Sequence, residues 1–337
     1  MPTIFRHATS VPPRRYPLHE MIVSFMMSSA PCRQACWLMG WSATDARRAA
    51  VAMCQQAGLS VSDLEQLRFG SNAVFGVDEA HVLRVMRPGM SEADVRREIE
   101  LVRDFARLGV PTGCLADDVA AQPLKALNCL GTVWERLAEP EQDNVHSALG
   151  QLVRIFHQRT TDLQVPLQPW RQLASSDRRL AQQREHYAAE DVRMLTQWSK
   201  RIAGELEEVQ PALPAGVVHG QAEVGNVLFR AGQPVLIDFE QVSIGPREWD
   251  LVHTAVVVTR FGRPDQCYRD FADAYGFDVR TWDGYQSYRR LWELCATTWL
   301  MQHDRHDRKV AQEIEVRLQT WRDDDPDARW TGVLERR

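Results

Sequence analysis

Two short apolar runs, residues 227–229 and 234–237, flank Arg230-Ala231-Gly232-Gln233. Runs of this length around a glycine-containing loop read as a β-hairpin. This hairpin constrains the chain more than any other stretch, because polar residues crowd its open end. His219, Gln221, Glu223 and Asn226 precede the first run, and Asp238 and Glu240 follow the second. Antiparallel pairing brings Asn226 and Asp238 to the same end of the ribbon. An amide oxygen beside a carboxylate is a hard-oxygen pair suited to Mg²⁺ shared with the phosphates of a nucleotide.

The stretch 219–250 resembles the aminoglycoside phosphotransferase and choline kinase-like family, relatives of the protein kinases. That family carries a catalytic loop His-Gly-Asp-x-x-x-x-Asn, then a hairpin and an Ile-Asp-Phe/Trp-Glu metal motif. His219, Gly220, Asn226, Asp238 and Glu240 fall on the pattern, as does Gly245-Pro246-Arg247-Glu248-Trp249-Asp250. The resemblance implies an α+β, bilobal protein-kinase-like fold, with a small β-sheet N-lobe and a larger, mainly helical C-lobe. It implies ATP in the cleft, with Asn226, Asp238 and Glu240 around Mg²⁺. It also implies that Asp250 braces the catalytic loop through its backbone N–H groups and that His219 holds the loop's shape. Gln221 departs from the pattern, standing where the family has its catalytic Asp.

A chain of 337 residues, 44% hydrophobic and 25% charged, can bury two separate cores. Its formal charge of -5 shows no basic excess, so no nucleic-acid partner is expected. No apolar run is long enough to span a membrane, and no membrane partner is expected. Cys32 and Cys36 have no matching pair or His cluster, so the cysteines are read as reduced thiols rather than zinc ligands. Behind Arg14-Arg15, residues 21–30 imitate the apolar core of a signal peptide. They begin well inside the chain, and a downstream nucleotide site needs cytoplasmic ATP. Residues 1–41 are therefore read as an extension, either disordered or a start placed too far upstream, and the protein as cytoplasmic.

Residues 42–137 are read as the N-lobe. Ser42 to Asp45 cap a helix stopped by Gly58, and a second short helix is expected after Ser62. Residues 68–77 and 81–86 are β-rich. Alternation puts Val82, Arg84 and Met86 on one face, Leu83 and Val85 on the other. The turn Gly70-Ser71-Asn72 can close over phosphates through backbone N–H groups, although such a turn is usually only a turn. By resemblance Ser71, Asn72, Val82 and Arg84 face the nucleotide, and Arg84 pairs with a Glu on the next helix. That helix is expected over residues 91–108, with Val95, Ile99, Val102 and Phe105 as its stripe. Glu98 adjoins the stripe and is chosen over Glu100. Residues 131–137 read as the strand into the hinge, where backbone at Glu135 to Leu137 meets an adenine edge.

Residues 138–337 are read as the C-lobe. Helices are expected over 143–157, along Val192 to Leu206, from Asp250 to Thr259, and over 265–275, 282–301 and 308–321. The chemistry expected is phosphoryl transfer, which needs clamped ATP, neutralised phosphate charge and an acceptor hydroxyl held in line. Gln221 can orient a hydroxyl but cannot take its proton, and general-base help is worth about 10²- to 10⁴-fold. Glu223 is either a stand-in base or a solvated loop residue. Two readings follow. One is an ATP-dependent kinase acting on a hydroxyl of a small molecule or peptide. The other is a pseudokinase that keeps the clamp and has lost turnover.

Overall fold

The structure is a computed structural model that describes residues 41–70, 72–119, 121–140, 145–303 and 307–332. Cys32, Cys36, Ser71 and all of the expected extension before Trp41 lie outside them. The chain opens on helix α1 (Ala43–Ala57), where Ser42 Oγ accepts from the Asp45 N–H at 3.1 Å and Gly58 closes the helix at φ 73°. Both ends follow from residue chemistry: a hydroxyl satisfies an orphan N–H, and glycine tolerates the left-handed cap. Ala46, Ala49, Ala50 and Met53 form its buried stripe. The stripe packs on a five-stranded antiparallel sheet in the order β1-β2-β3-β5-β4.

The strands are β1 (Glu65–Phe69), β2 (Asn72–Gly76), β3 (His81–Met86), β4 (Leu124–Ala126) and β5 (Cys129–Glu135). The helix expected after Ser62 is absent. A turn there leads directly into β1, whose residues pair with β2 from Glu65↔Gly76 to Phe69↔Ala73. Tertiary pairing has overridden local helix propensity. Register then sorts the side chains. Ala73, Phe75, Leu83, Val85 and Val133 are buried in the core with α1. Val74, Val82, Arg84 and Trp134 lie on the other face, toward the second lobe.

Helix α2 (Glu92–Arg107) packs Val95 and Ile99 against Met86 and Leu115 and ends before Gly109, which adopts φ 70°. The second lobe holds α3 (Val145–Arg159), α4 (Gln172–Gln182), α5 (Ala189–Glu208), α6 (Trp249–Arg260), α7 (Asp265–Tyr275), α8 (Tyr285–Leu300) and α9 (Arg308–Asp323). They share one core, which also takes in Leu101, Val102 and Phe105 of α2. Strands β6 (Gly216–Val218) and β9 (Ser243–Gly245) form one ribbon, and β7 (Val227–Arg230) with β8 (Gln233–Leu236) form the hairpin. The hairpin is tighter than its sequence suggests. Arg230 pairs with Gln233, leaving a two-residue turn with Ala231 at φ 47° and Gly232 at φ 77°. Positive φ at both positions matches the twist of the flanking strands. Reciprocal hydrogen bonds between Ala138 and Phe229, at 2.9 and 2.8 Å, tie the hairpin to the exit from β5. The sheet-and-helix lobe and the helical lobe together make an α+β bilobal fold.

Candidate active site

The hairpin does what its flanking residues require. Ile237 N–H donates to Asn226 O at 3.1 Å, so the chain on either side of the ribbon stays adjacent at its open end. Asn226 and Asp238 both line a cleft of about 370 Å³ between the lobes. Val82, Arg84, Glu135 and Leu137 line the same cleft, with Leu228 and Ile237 beneath. Asp238 sits at φ 68°, a left-handed conformation that Asp tolerates better than most side chains. Burial and then the nearby Glu240 push its carboxyl up to about 7, against the opposing charge of Arg84. A divalent cation would remove that penalty, so the donor set fits one. Asn226 Nδ2 donates to Gln221 O at 3.0 Å, which leaves the amide oxygen as its donor to a metal. Among the described residues no three His, Cys, Asp or Glu side chains cluster to hold a metal alone. A pair completed by phosphates is the arrangement Mg²⁺ commonly uses.

Arg84 is the hub of the upper wall. It is ion-paired to Glu98, which is 6% exposed on α2, and its Nη1 lies 3.5 Å from Glu240 Oε1. Glu240 also accepts from Asn72 Nδ2 at 2.7 Å. Glu240 thus joins strand β2 to the loop after Asp238 and is turned toward Arg84. Glu135 is committed too: its carboxylate holds Arg230 and accepts from the Cys114 N–H at 2.7 Å, and its own N–H donates to Cys114 O at 3.0 Å. Sequence reasoning missed Arg230 here, along with Leu67 and Arg68 of β1, which line the cleft. The nearness of Arg68 to Gly70 was the available hint.

The half of the site around His219 to Asn226 is braced by Asp250. Asp250 accepts from the His219 N–H at 2.6 Å and the Gly220 N–H at 2.8 Å. Burial alone would raise its pKa. The hydrogen bond from His157, 2.9 Å from Oδ2, and the loop N–H groups outweigh that and hold it below the usual carboxylate range. Gly220 has φ 85°, and a Cβ there would lie 2.7 Å from Gln241 O, so only glycine suits. His219 is fully buried. Its Nε2 faces Ile237 O at 3.1 Å and its Nδ1 accepts from the Gln221 N–H at 3.3 Å. Both ring nitrogens are occupied in one neutral tautomer, consistent with burial lowering its pKa.

Gln221 lies beside a cavity of about 10 Å³, walled by Trp249, His253 and Trp292 and large enough for about one water. Glu223 is not a solvated loop residue. It is 3% exposed, with Oε2 3.3 Å from His253 Nε2. His253 Nδ1 accepts from Trp292 Nε1 at 3.2 Å, so Nε2 carries the hydrogen on the side of the ring nearest Glu223, without the alignment of a hydrogen bond to Oε2. His253 was not singled out from the sequence, although its i+3 spacing from Asp250 on one helix placed it there.

The model of the phosphotransferase enzyme family matches residues 63–291, more than half of the chain. The chain belongs to this family. Among solved structures, the amicoumacin kinase hAmiN in complex with AMP-PNP, Ca²⁺ and Ami superposes with a TM-score of 0.67 at 14% identity, over 86% of this chain and 98% of that one. The microcompartment-associated aminopropanol kinase gives 0.61 at 19% identity, over 83% and 95%. A choline/ethanolamine kinase family protein from Mesorhizobium loti gives 0.59 at 17%, over 84% and 95%. No curated protein matches the chain by sequence. These likenesses establish that this phosphotransferase has the kinase-like fold. No helix among its described residues is long and apolar enough to cross a membrane.

Proposed function

We propose that this phosphotransferase is an ATP-dependent kinase that moves the γ-phosphoryl group to a hydroxyl of a small molecule. One observation carries the reading: Asn226, Asp238 and Arg84 converge on one interlobe cleft large enough for a nucleotide. AMP-PNP and Ca²⁺ in the amicoumacin kinase complex support a nucleotide and a divalent cation. Neither the family match nor the neighbours supports a peptide acceptor or the pseudokinase alternative.

In this reading Val82, Leu228 and Ile237 sandwich the adenine, and backbone at Glu135 to Leu137 meets its edge. Arg84, fixed by Glu98 and Glu240, binds phosphate oxygens, and Asn72 sets the turn above them. Asn226 and Asp238 would hold Mg²⁺, which would supply positive charge to neutralise phosphate charge. Glu240 serves the clamp through Arg84 and Asn72. Gln221 accepts a hydrogen bond from the acceptor hydroxyl and keeps it in line. The loose transition state asks for little proton removal before transfer, so an amide suffices for orientation. His219 and Asp250 hold the loop, and Glu223 positions His253 behind it. The test is ADP release from ATP with Mg²⁺ across a broad panel of small hydroxyl compounds. Acceptor-dependent ADP is expected. Nucleotide binding with no acceptor-dependent ADP anywhere in the panel would overturn the proposal.

A further inference from the structure

A second cavity, of about 410 Å³, lies on the far side of the Arg84–Glu98 pair. Helix α2, the start of α4 and residues 239–243 bound it, and its volume lies in the range of small-molecule sites. Glu98 and Glu240 form part of its wall, while Arg84, which they hold, lines the interlobe cleft, so the pair joins the two cavities. One guanidinium, that of Arg84, meets both Glu98 and Glu240, while Asp94 and Arg97, which also line the cavity, lie 3.9 Å apart and offset each other. The wall therefore carries an excess of negative charge. Gln241 also lines the cavity and is 4% exposed. Its Oε1 accepts from Gln172 Nε2 at 3.1 Å, while its Nε2 is buried with no partner among the described residues. The rim has the opposite sign. Arg171 and Arg178 are exposed there, and no described carboxylate lies within ion-pair distance of either. Met86, Val95 and Leu101 supply an apolar side between wall and rim.

We propose that this cavity binds a small amphoteric molecule, its ammonium group toward Glu98 and Glu240 and its anionic group toward Arg171 and Arg178, and that occupancy resets the Arg84 clamp. A cation beside Glu98 and Glu240 competes for the carboxylates that fix Arg84, so nucleotide affinity changes with occupancy. The binding site stands on its own observations. Only its effect on the clamp rests on the neighbouring cleft taking a nucleotide.

The probes are the twenty standard L-amino acids, which carry a carboxylate, and O-phosphoethanolamine, which carries a phosphate. Each is titrated calorimetrically into the full chain, and Mg²⁺·ADP is then titrated with and without it. Ser175→Trp fills the cavity from the partly exposed face of α4, and Arg171→Glu with Arg178→Glu reverses the rim. At least one probe should bind the unaltered protein, fail to bind both variants, and shift ADP affinity by about fivefold or more. If Ser175→Trp misfolds, the rim variant decides. Absence of binding by every probe, or binding retained in the rim variant, overturns the site. Binding with ADP affinity unmoved overturns its effect on the clamp. A bound probe in a protein that takes no ADP overturns the kinase reading and leaves the cavity's assignment standing.

Discussion

In the kinase reading proposed above, the nucleotide side and the acceptor side of the loop from His219 to Asn226 are held in place by different means. On the nucleotide side, ionisable groups crowd one wall: Arg84 is paired to Glu98 and Glu240, and Asp238 lines the same cleft as Arg84. On the acceptor side, an amide lies against two indoles and an imidazole, and the carboxylate of Glu223 is turned into that imidazole. Phosphates bring several negative charges that must be met by charge, so the residue types on that side have little latitude. A hydroxyl needs chiefly to be oriented, and a polar uncharged group can do that. On this reading the contrast accounts for an amide at Gln221 beside a cleft that carries Asn226 and Asp238.

The largest expected effect strikes the charged side. Asp238→Asn should weaken Mg²⁺-dependent ADP binding by at least about 100-fold, or about 2.7 kcal/mol. Calorimetry at fixed Mg²⁺ measures it, and retained affinity would mean the cleft is not organised around a cation. Next comes the uncharged side. Gln221→Asp should raise acceptor-dependent turnover, toward the lower end of the 10²- to 10⁴-fold that a general base is worth. A fall in turnover would show a loop adapted to its amide, and the two sides would then be equally constrained.

The same division governs what could be read from the sequence. The hairpin and the Asn226/Asp238 spacing were legible because pairing between nearby strands depends on local pattern. The stripe of α2 likewise marked Glu98 rather than Glu100. Contacts made across long loops were not legible. Nothing in the sequence around Asn72 points to Glu240, 168 positions on, nor around Arg230 to Glu135. The strand β1 was hidden for a related reason: Glu65 to Phe69 is largely exposed and shows no clean alternation, so only its pairing with β2 defines it.

A smaller effect concerns pH. Burial, against the opposing charge of Asp250, lowers His253 from 6.5 to about 4. Between those values the unfolded chain binds a proton that the folded chain refuses. The stability contribution is therefore complete above about 6.5 and is lost as pH falls toward 4. Replacing the imidazole by His253→Asn should flatten this acid slope by at most about 1.4 kcal/mol per pH unit. Denaturant melts at pH 7, 6, 5 and 4 give the two slopes. Equal slopes would mean that His253 takes up a proton in the folded state, and that the acceptor side carries a charge after all.

The smallest effect bears most directly on the contrast. In Glu223→Gln a neutral amide replaces the buried carboxylate 3.3 Å from His253 Nε2, and the hydrogen bond from Trp292 still fixes the imidazole. The expected cost is at most about 1 kcal/mol of stability, in the range for one buried polar contact. Turnover should stay well above the ~10²-fold loss that removing a general base brings. Stability and kcat must be measured on the same preparation, because a base and a positioning residue differ in which of the two moves. A collapse in kcat with stability intact would make Glu223 the proton acceptor. The carboxylate absent at position 221 would then have been relocated two residues along the loop, and both sides of the site would run on charge.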